Sequence, residues 1–511
     1  MSQYLLAFDL GTGGNKASLY DGDGQCLAAN FVAYATQYPA AGRHEQRPTD
    51  WWNAVVQSTN QLLAEAKIDK RRIAAIGISG HSLGVVPLDH DGALLRDSVP
   101  IWSDSRSEPA QLRPFFEKID EPAWYMMTGN GFPPALYSVF KILWYRHHEP
   151  EMFARIHKII GTKDFINFKL TGRMLTDYSY ASGTGVYDLL GWQYSDRLLA
   201  AANLPRELFP EIVASAEVIG ELTTEAADAL GLPRHVRVVA GGVDNSCMAL
   251  GAGNIAEGSV YNSLGSSSWI AATSAKPLLE PRIRPYVFTH VMPGLFNSAV
   301  AIFSAGTSFR WVRDHLCGEL VREAEQRGVD AYELMTALAA QSPVGAKGLL
   351  FNPNLAGGTA LDESPTVRGA LLGLDLGHTQ ADVVRAAMEG IALGLRRALD
   401  ALRTMTPLSG DMRVVGGGSR SSLWRQIYAD VYNMRIVKSD VDQQAAALGA
   451  AALAAVGAGL WSDFRRIDEI HRAIDVTEPI PEHVRVYDRL LGVFAKAGKC
   501  LAEVGQATGT G

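Results

Sequence analysis

An apolar run at residues 4–10 is cut by Gly11-Thr12-Gly13-Gly14 and resumes at residues 16–20, and that break narrows the fold sharply. Runs this short with turn residues between them read as two strands joined by a tight loop, not as a helix. Asp21-Gly22-Asp23-Gly24 then reads as a hairpin turn into a third strand. Thr49 is placed to cap a helix beginning at Asp50, with Trp52, Val55, Val56, Thr59, Leu62 and Leu63 at helical spacing down one face. Residues 73–78 form a buried-strand candidate ending in the turn Ser79-Gly80. The same plan returns in the second half, where residues 259–264 meet Gly265-Ser266-Ser267-Ser268 and a strand resumes at 269–272. The segments LGTGGNKASL and LGSSSWIAAT share one strand, turn and strand design, so a loose internal duplication is a working hypothesis.

Further on, residues 412–415 read as a strand entering Gly416-Gly417-Gly418-Ser419, and Ser422 precedes a helix carrying Leu423, Ile427 and Val431. Residues 435–437 form another strand, followed by an alanine-rich helix. Alternating strands and helices in two halves of a 511-residue chain imply two α/β domains with a cleft between them. The expected division lies where glycines cluster near residues 251–258, giving domains of residues 1–251 and 252–511.

A net charge of −7 argues against a nucleic-acid partner, which needs a basic face to displace counterions. Four cysteines far apart, with no CxxC pair, suit free thiols in a reducing cytoplasm. The first residues lack the charged start and apolar run of a signal peptide, and residues 445–461, mostly alanine and glycine, read as a packed core helix and not as a membrane span. A cytoplasmic protein without a membrane partner is expected. A homodimer is left open.

No GxxxxGK[ST] occurs, and no strand-GxGxxG-helix arrangement with a downstream acid, so a P-loop and a dinucleotide fold are both disfavoured. What remains are the two strand-turn-strand loops, which facing each other would clamp a triphosphate through backbone N–H groups. Either loop taken alone reads better as an ordinary hairpin turn. Asp9, in the apolar run before the first loop, is either a partner for a phosphate-bound metal ion or a cap of its own turn. Asp244 follows the strand at 236–240 and the turn Gly241-Gly242, ahead of a helix opening near Ser246. It reads as a helix N-cap or as a carboxylate that accepts a proton from an attacking hydroxyl.

Taken in order, FDLGTGGNK, VPIWSDSR, SVFKILWYRHHEP, GTKDFINFKLTG, VVAGGVDN, SLGSSS, VVGGGSRSSLWRQIYAD and AALGAAALAA resemble the FGGY carbohydrate kinases over about residues 4–490. Lys141 and Trp144 stand in place in the third of these. The resemblance implies two actin-like (ribonuclease H-like) ATPase domains, ATP and Mg²⁺, and a small sugar as substrate. It implies Asp244 as catalytic base and Asp9 near Mg²⁺. Thr12, Gly13, Gly14 and Lys16 would belong to the first phosphate loop, Gly265 and Ser266 to the second, and Gly417, Gly418 and Ser421 to the adenosine site. Among such kinases the look is nearest to those acting on xylulose, whose Gly-Gln-Met-His-Gly turn is here Gly80-His81-Ser82-Leu83-Gly84, and whose Trp-Asn-Asp is Trp102-Ser103-Asp104. His81, Ser82, Leu83, Trp102, Asp104 and Asp244 are thus the expected sugar contacts, with D-xylulose the leading substrate. Ribulose, gluconate, erythritol or a related polyol are alternatives, and a non-catalytic sugar or nucleotide sensor is the rival outside catalysis.

Overall fold

The computed structural model describes residues 3–441 and 444–508. Its packing separates two compact units. The first gathers the chain up to Glu257 together with Thr273–Ser298 and Gln444–His471; the second gathers Gly258–Ala272, the stretch that begins at Ala299, and the chain from Arg472 onward. The chain passes between units several times, a pattern that one division at 251/252 does not express.

In the first unit, Tyr4–Gly11 and Gly14–Asp21 pair antiparallel from Tyr4↔Asp21 to Gly11↔Gly14, which leaves only Thr12 and Gly13 to turn the chain. Ile73–Gly80 lies parallel on the other side of Tyr4–Gly11 and is buried at every position, as a strand covered on both faces must be. Ser79 and Gly80, expected as a turn, are the end of this strand. Leu10 continues the ladder to Gly80, and Gly242–Val243 pairs with the same two residues from the opposite side. The helix Pro48–Ala66 buries Trp51, Val55, Leu62 and Leu63 against the core, with Trp52 and Val56 partly buried beside them. Thr49 does not cap it. Arg47 holds the N-cap position and Pro48 opens the first turn, where a missing N–H costs nothing.

The alanine-rich helix Ala445–Gly457 is buried over most of its length and packs on Asp244–Gly251. A Cβ on Gly449 would stand 1.9 Å from the Cys247 carbonyl oxygen, and one on Gly251 1.7 Å from that of Ala445. Only hydrogens fit there, so the two backbones touch, and this explains why so weakly apolar a run is core. Among the described residues no helix is long and apolar enough to cross a membrane. Cys26, Cys247, Cys317 and Cys500 are free thiols.

The two sheets have one plan. The first runs Val218–Glu221, Arg237–Val239, Ile73–Gly80, Tyr4–Gly11, Gly14–Asp21, Cys26–Ala33; the second runs Ala473–Thr477, Arg435–Ser439, Asp411–Val415, Val260–Leu264, Ser268–Ser274, Phe296–Ile302, with Tyr286–Thr289 added at its far edge. In both, an antiparallel edge strand precedes three parallel strands, the last of which turns back as a hairpin carrying a glycine loop. The duplication suspected from one short match thus extends through six strands.

Candidate active site

Three adjacent strands of the first unit end together, and their ends assemble most of the expected residues. Tyr4–Gly11 ends in the loop, Ile73–Gly80 ends at His81, and Gly242–Val243 ends at Asp244. The loop's carbonyls are all drawn back into the protein. Gly11 O accepts from the Tyr34 hydroxyl at 2.5 Å, Thr12 O from Gln46 Nε2 at 2.7 Å and Gly13 O from Tyr34 N at 3.3 Å. The Thr12 hydroxyl accepts from Trp102 Nε1 at 2.8 Å. A Cβ on Gly13 would meet nothing within 4 Å, so the loop's free side is open, as a backbone cradle for phosphate must be.

Asp9 is paired across the ladder with Lys16 on one side and Ser79 on the other, and Ser79 Oγ donates to its carboxylate at 3.0 Å. Burial raises its pKa, while Lys16 and the Ser79 hydroxyl pull it back down. Among the described residues no set of three His, Cys, Asp or Glu side chains converges on a metal position. A single carboxylate in a strand end suits a cation that brings phosphate and water ligands of its own, as Mg²⁺ does.

Asp244 is the first helical residue of Asp244–Gly251, with Val243 at the N-cap, so the N-cap reading fails. Its Oδ1 accepts from Asn245 N at 2.8 Å and Asn245 Nδ2 at 3.2 Å. Burial pushes the carboxyl up to about 7; the Asn245 amide opposes this and the Asp9 carboxylate adds to it. A carboxyl poised near neutrality can take a proton from an alcohol and release it again.

The expected sugar contacts divide. His81 is buried, held by its amide to Leu10 O at 3.0 Å and by Nδ1 to Thr162 Oγ1 at 3.3 Å, and its Nε2 has no protein partner. Burial, with Lys141 adding to it, pushes the imidazole down to about 4, so it is neutral at pH 7. Ser82 is buried beside it. Leu83 takes a left-handed backbone, φ 60°, which costs a branched residue about 1–2 kcal/mol, and its side chain lies in the apolar cluster near Gly183 and Phe288. Trp102 is 38% exposed. Asp104 is wholly buried and its carboxylate is filled from within, by Arg106 N, Nε and Nη2 at 2.8–3.0 Å and by His44 N at 2.7 Å. It acts as an anchor for the Trp102 segment.

Lys141, whose partners the sequence did not disclose, ties the two substrate-side segments together. Its buried Nζ donates to Leu83 O at 3.1 Å and Ile101 O at 2.6 Å. That grip on Leu83 O explains how the strained turn persists.

In the second unit the loop at Gly265 is also pulled back by its carbonyls. Gly265 O accepts from Gly306 N at 3.1 Å, and Ser266 O from Ala305 N, Thr307 N and Thr307 Oγ1 at 2.9–3.1 Å. The Gly416-Gly417-Gly418 turn abuts the residue that opens this loop, since a Cβ on Gly416 would lie 2.8 Å from Leu264 O and one on Gly418 3.0 Å from Leu264 Cβ. Gly417 is exposed, and Ser421 caps the helix Ser422–Tyr432 by accepting from Trp424 N at 3.2 Å.

Comparison with known proteins places these features. The model of the N-terminal domain of the FGGY family of carbohydrate kinases matches residues 4–251, and that of the C-terminal domain matches residues 260–458. The chain is 29% identical to the xylulose kinase of Bacillus subtilis (strain 168) over 498 residues, covering 96% of each, and 27% identical to the gluconokinase of the same organism over 507 residues, covering 98% of this chain and 96% of that one. The crystal structure of a ligand-bound xylulose kinase from Lactobacillus acidophilus superposes with a TM-score of 0.89 at 26% identity, covering 98% of both chains. With its two actin-like ATPase domains and both family models matched, the chain belongs to the FGGY family of carbohydrate kinases.

Proposed function

We propose that this sugar kinase transfers the γ-phosphoryl group of MgATP to a primary hydroxyl of D-xylulose, forming D-xylulose 5-phosphate and ADP. The observation that carries the reading is Asp244, presented at a strand end with its carboxyl pushed up to about 7. Its carboxylate accepts the hydroxyl proton as the sugar oxygen bonds to phosphorus and the bond to ADP breaks. The loops at Gly11–Gly14 and Gly265–Ser268 offer backbone N–H groups to phosphate oxygens, and Gly417, Gly418 and Ser421 line the adenosine. Asp9 would hold Mg²⁺, which would neutralise phosphate charge.

An uncharged ketose is favoured by the state of the substrate-side groups. His81 is neutral, Arg106 gives Nε and Nη2 to Asp104 and Glu45 while its Nη1 is buried without a partner among the described residues, and Lys141, which burial pushes down to about 7, gives its Nζ to two carbonyls. Such a set reads hydroxyls. Similarity to gluconokinases supports a second reading, phosphorylation of a sugar acid. Measuring kcat/KM for D-xylulose, D-ribulose, D-gluconate, erythritol and glycerol with MgATP tests both. D-xylulose should lead; gluconate or a polyol ahead of it by tenfold or more would leave only the kinase class standing.

A further inference from the structure

We infer that Ser179 and Asp177 form a positioning relay that holds the backbone leading into Asp244, and with it the direction in which that carboxylate faces the sugar. The inference rests on reading Asp244 as the base. The turn before it, residues 240–243, depends on Gly241 at φ 73°, and the helix that starts at Asp244 has no side-chain cap. Its position must come from other contacts: the pairing of Gly242 and Val243 with Ser79 and Gly80, the Ala240 N bond to Glu217 O, and a buried side-chain set that converges on one carboxylate.

Val243 N donates to Ser179 Oγ at 2.9 Å, and the same hydroxyl donates to Asp177 Oδ2 at 2.5 Å. Ser215 Oγ donates to that oxygen at 2.7 Å, while its carbonyl accepts from Gly241 N at 2.9 Å. Lys163 Nζ bonds Asp177 at 3.0 Å, Asp164 at 2.6 Å and Ala240 O at 3.1 Å, and Asn167 Nδ2 adds a second donor to Ala240 O at 2.8 Å. Three backbone groups of the turn, Ala240 O, Gly241 N and Val243 N, are therefore tied to Lys163, Ser215 and Ser179, which converge on Asp177. All these side chains are buried. Burial opposes the Lys163 charge, but Asp164 and Asp177 hold the ammonium well above its ordinary range, so Lys163 stays charged across neutral pH.

A plainer role exists for Asp177, since it accepts from Ser179 N at 2.9 Å and Tyr180 N at 3.3 Å as the cap of Tyr178–Ala181. Capping accounts for neither the Ser179 hydroxyl on Val243 N nor the Ser215 hydroxyl on Asp177. Ser179 is the specific link. Its hydroxyl donates once and accepts once along a fixed line from the carboxylate to the amide next to the base. A displacement on the order of 1 Å in a reacting group can lower turnover about 10²-fold without altering substrate affinity.

The test uses the full chain with MgATP and the fastest sugar of the panel above. Ser179→Ala should lower kcat by about tenfold or more, leave KM for sugar and for ATP within about twofold, and melt cooperatively. Because Asp177 acts through Ser179, the Ser179→Ala/Asp177→Asn double variant should be no slower than Asp177→Asn alone. Where Asp177→Asn does not fold, Ser215→Ala takes its place and should also lower kcat with KM unchanged. Wild-type kcat in Ser179→Ala, or a loss carried by KM, overturns the relay. Asp244→Asn run alongside separates the two levels: if it is inactive while Ser179→Ala turns over normally, only the relay fails, and if it is active, the base assignment fails first.

Discussion

The two glycine loops are built on one plan and secured in different ways. At Gly11–Gly14 the carbonyls are held by side chains from distant segments, Tyr34 and Gln46, with Trp102 on the Thr12 hydroxyl. At Gly265 the carbonyls are held mainly by backbone amides at the start of the helix Gly306–Leu316. The first loop follows a strand carrying Asp9 and adjoins the strand end that presents Asp244; in the second hairpin the position matching Asp9, two before the loop's first glycine, is Ser263. One copy of the duplicated hairpin carries a carboxylate, Asp9, ahead of a loop whose carbonyls are tied by distant side chains. The other remained a backbone cradle. Grip can therefore be altered in either loop, but chemistry only in the first.

Removing the base should have the largest effect. Asp244→Asn keeps the shape of the side chain and should lower kcat by roughly 10²–10⁴-fold. ATP affinity measured by calorimetry should stay nearly unchanged. Near-normal turnover would erase the distinction between the loops.

Next in size is a matched pair of glycine variants. A Cβ on Gly13 would meet nothing within 4 Å, and one on Gly265 would meet only Ser267 O, at 3.3 Å, which need give by only a few tenths of an ångström. Each valine would stand where phosphate approaches the amides. Losing one charge-assisted hydrogen bond of about 1.5–3 kcal/mol should weaken ATP binding by roughly 10- to 100-fold in both. Gly13→Val should also lower kcat, because its loop leads out of the Asp9 strand, whereas Gly265→Val should leave kcat at saturating ATP within a few-fold. Unchanged ATP binding in Gly265→Val would remove the second loop from the phosphate site.

Much of this difference was legible in the sequence, and the rest was hidden for physical reasons. The hairpins were readable because short apolar runs with glycine between them have few alternatives. The strand end at Ser79-Gly80 was not, because small residues that usually turn the chain are kept extended here by ladders on both sides. Asp244 was visible as a carboxylate after a glycine turn, but its place inside the helix depends on Val243 pairing with Gly80, a contact between residues far apart in sequence. Asp104 has a similar history. Its carboxylate suggests a sugar ligand until the Arg106 and His44 bonds that fill it are known. Lys163, Asp177, Ser179 and Ser215 are ordinary residues one at a time. Only the fold makes them a group.

A smaller effect is expected in the pH profile. The base must be ionised to accept a proton, and its carboxyl is pushed up to about 7. The rate kcat/KM should therefore rise with pH through about 7 and then level off. Part of that upward shift comes from the Asp9 carboxylate, so Asp9→Asn should make Asp244 easier to ionise. The acid limb of the residual activity should move to lower pH, by an amount the profile reads independently of the fall in rate that losing a Mg²⁺ ligand brings. An acid limb that stays in place would mean that Asp9 and Asp244 do not share a site.

The smallest effect tests the side-chain ties themselves. Trp102 is 38% exposed, and its Nε1 donates to the Thr12 hydroxyl at 2.8 Å. Trp102→Phe keeps an aromatic surface for the sugar while deleting that bond. A hydrogen bond of this kind contributes about 0.5–1.5 kcal/mol, which predicts a change of roughly 2- to 10-fold. Because the bond joins a sugar-side residue to the phosphate loop, the loss should appear in KM for ATP as well as for the sugar. The corresponding change in the second unit is Thr307→Val, which removes a side-chain bond to a loop carbonyl, Thr307 Oγ1 to Ser266 O at 2.9 Å, while three backbone bonds remain. Thr307→Val should shift KM for ATP by less than Trp102→Phe and leave KM for the sugar alone. If instead the two variants behave alike, the first loop gains nothing from its side-chain ties, and the contrast between the loops reduces to the carboxylates beside one of them.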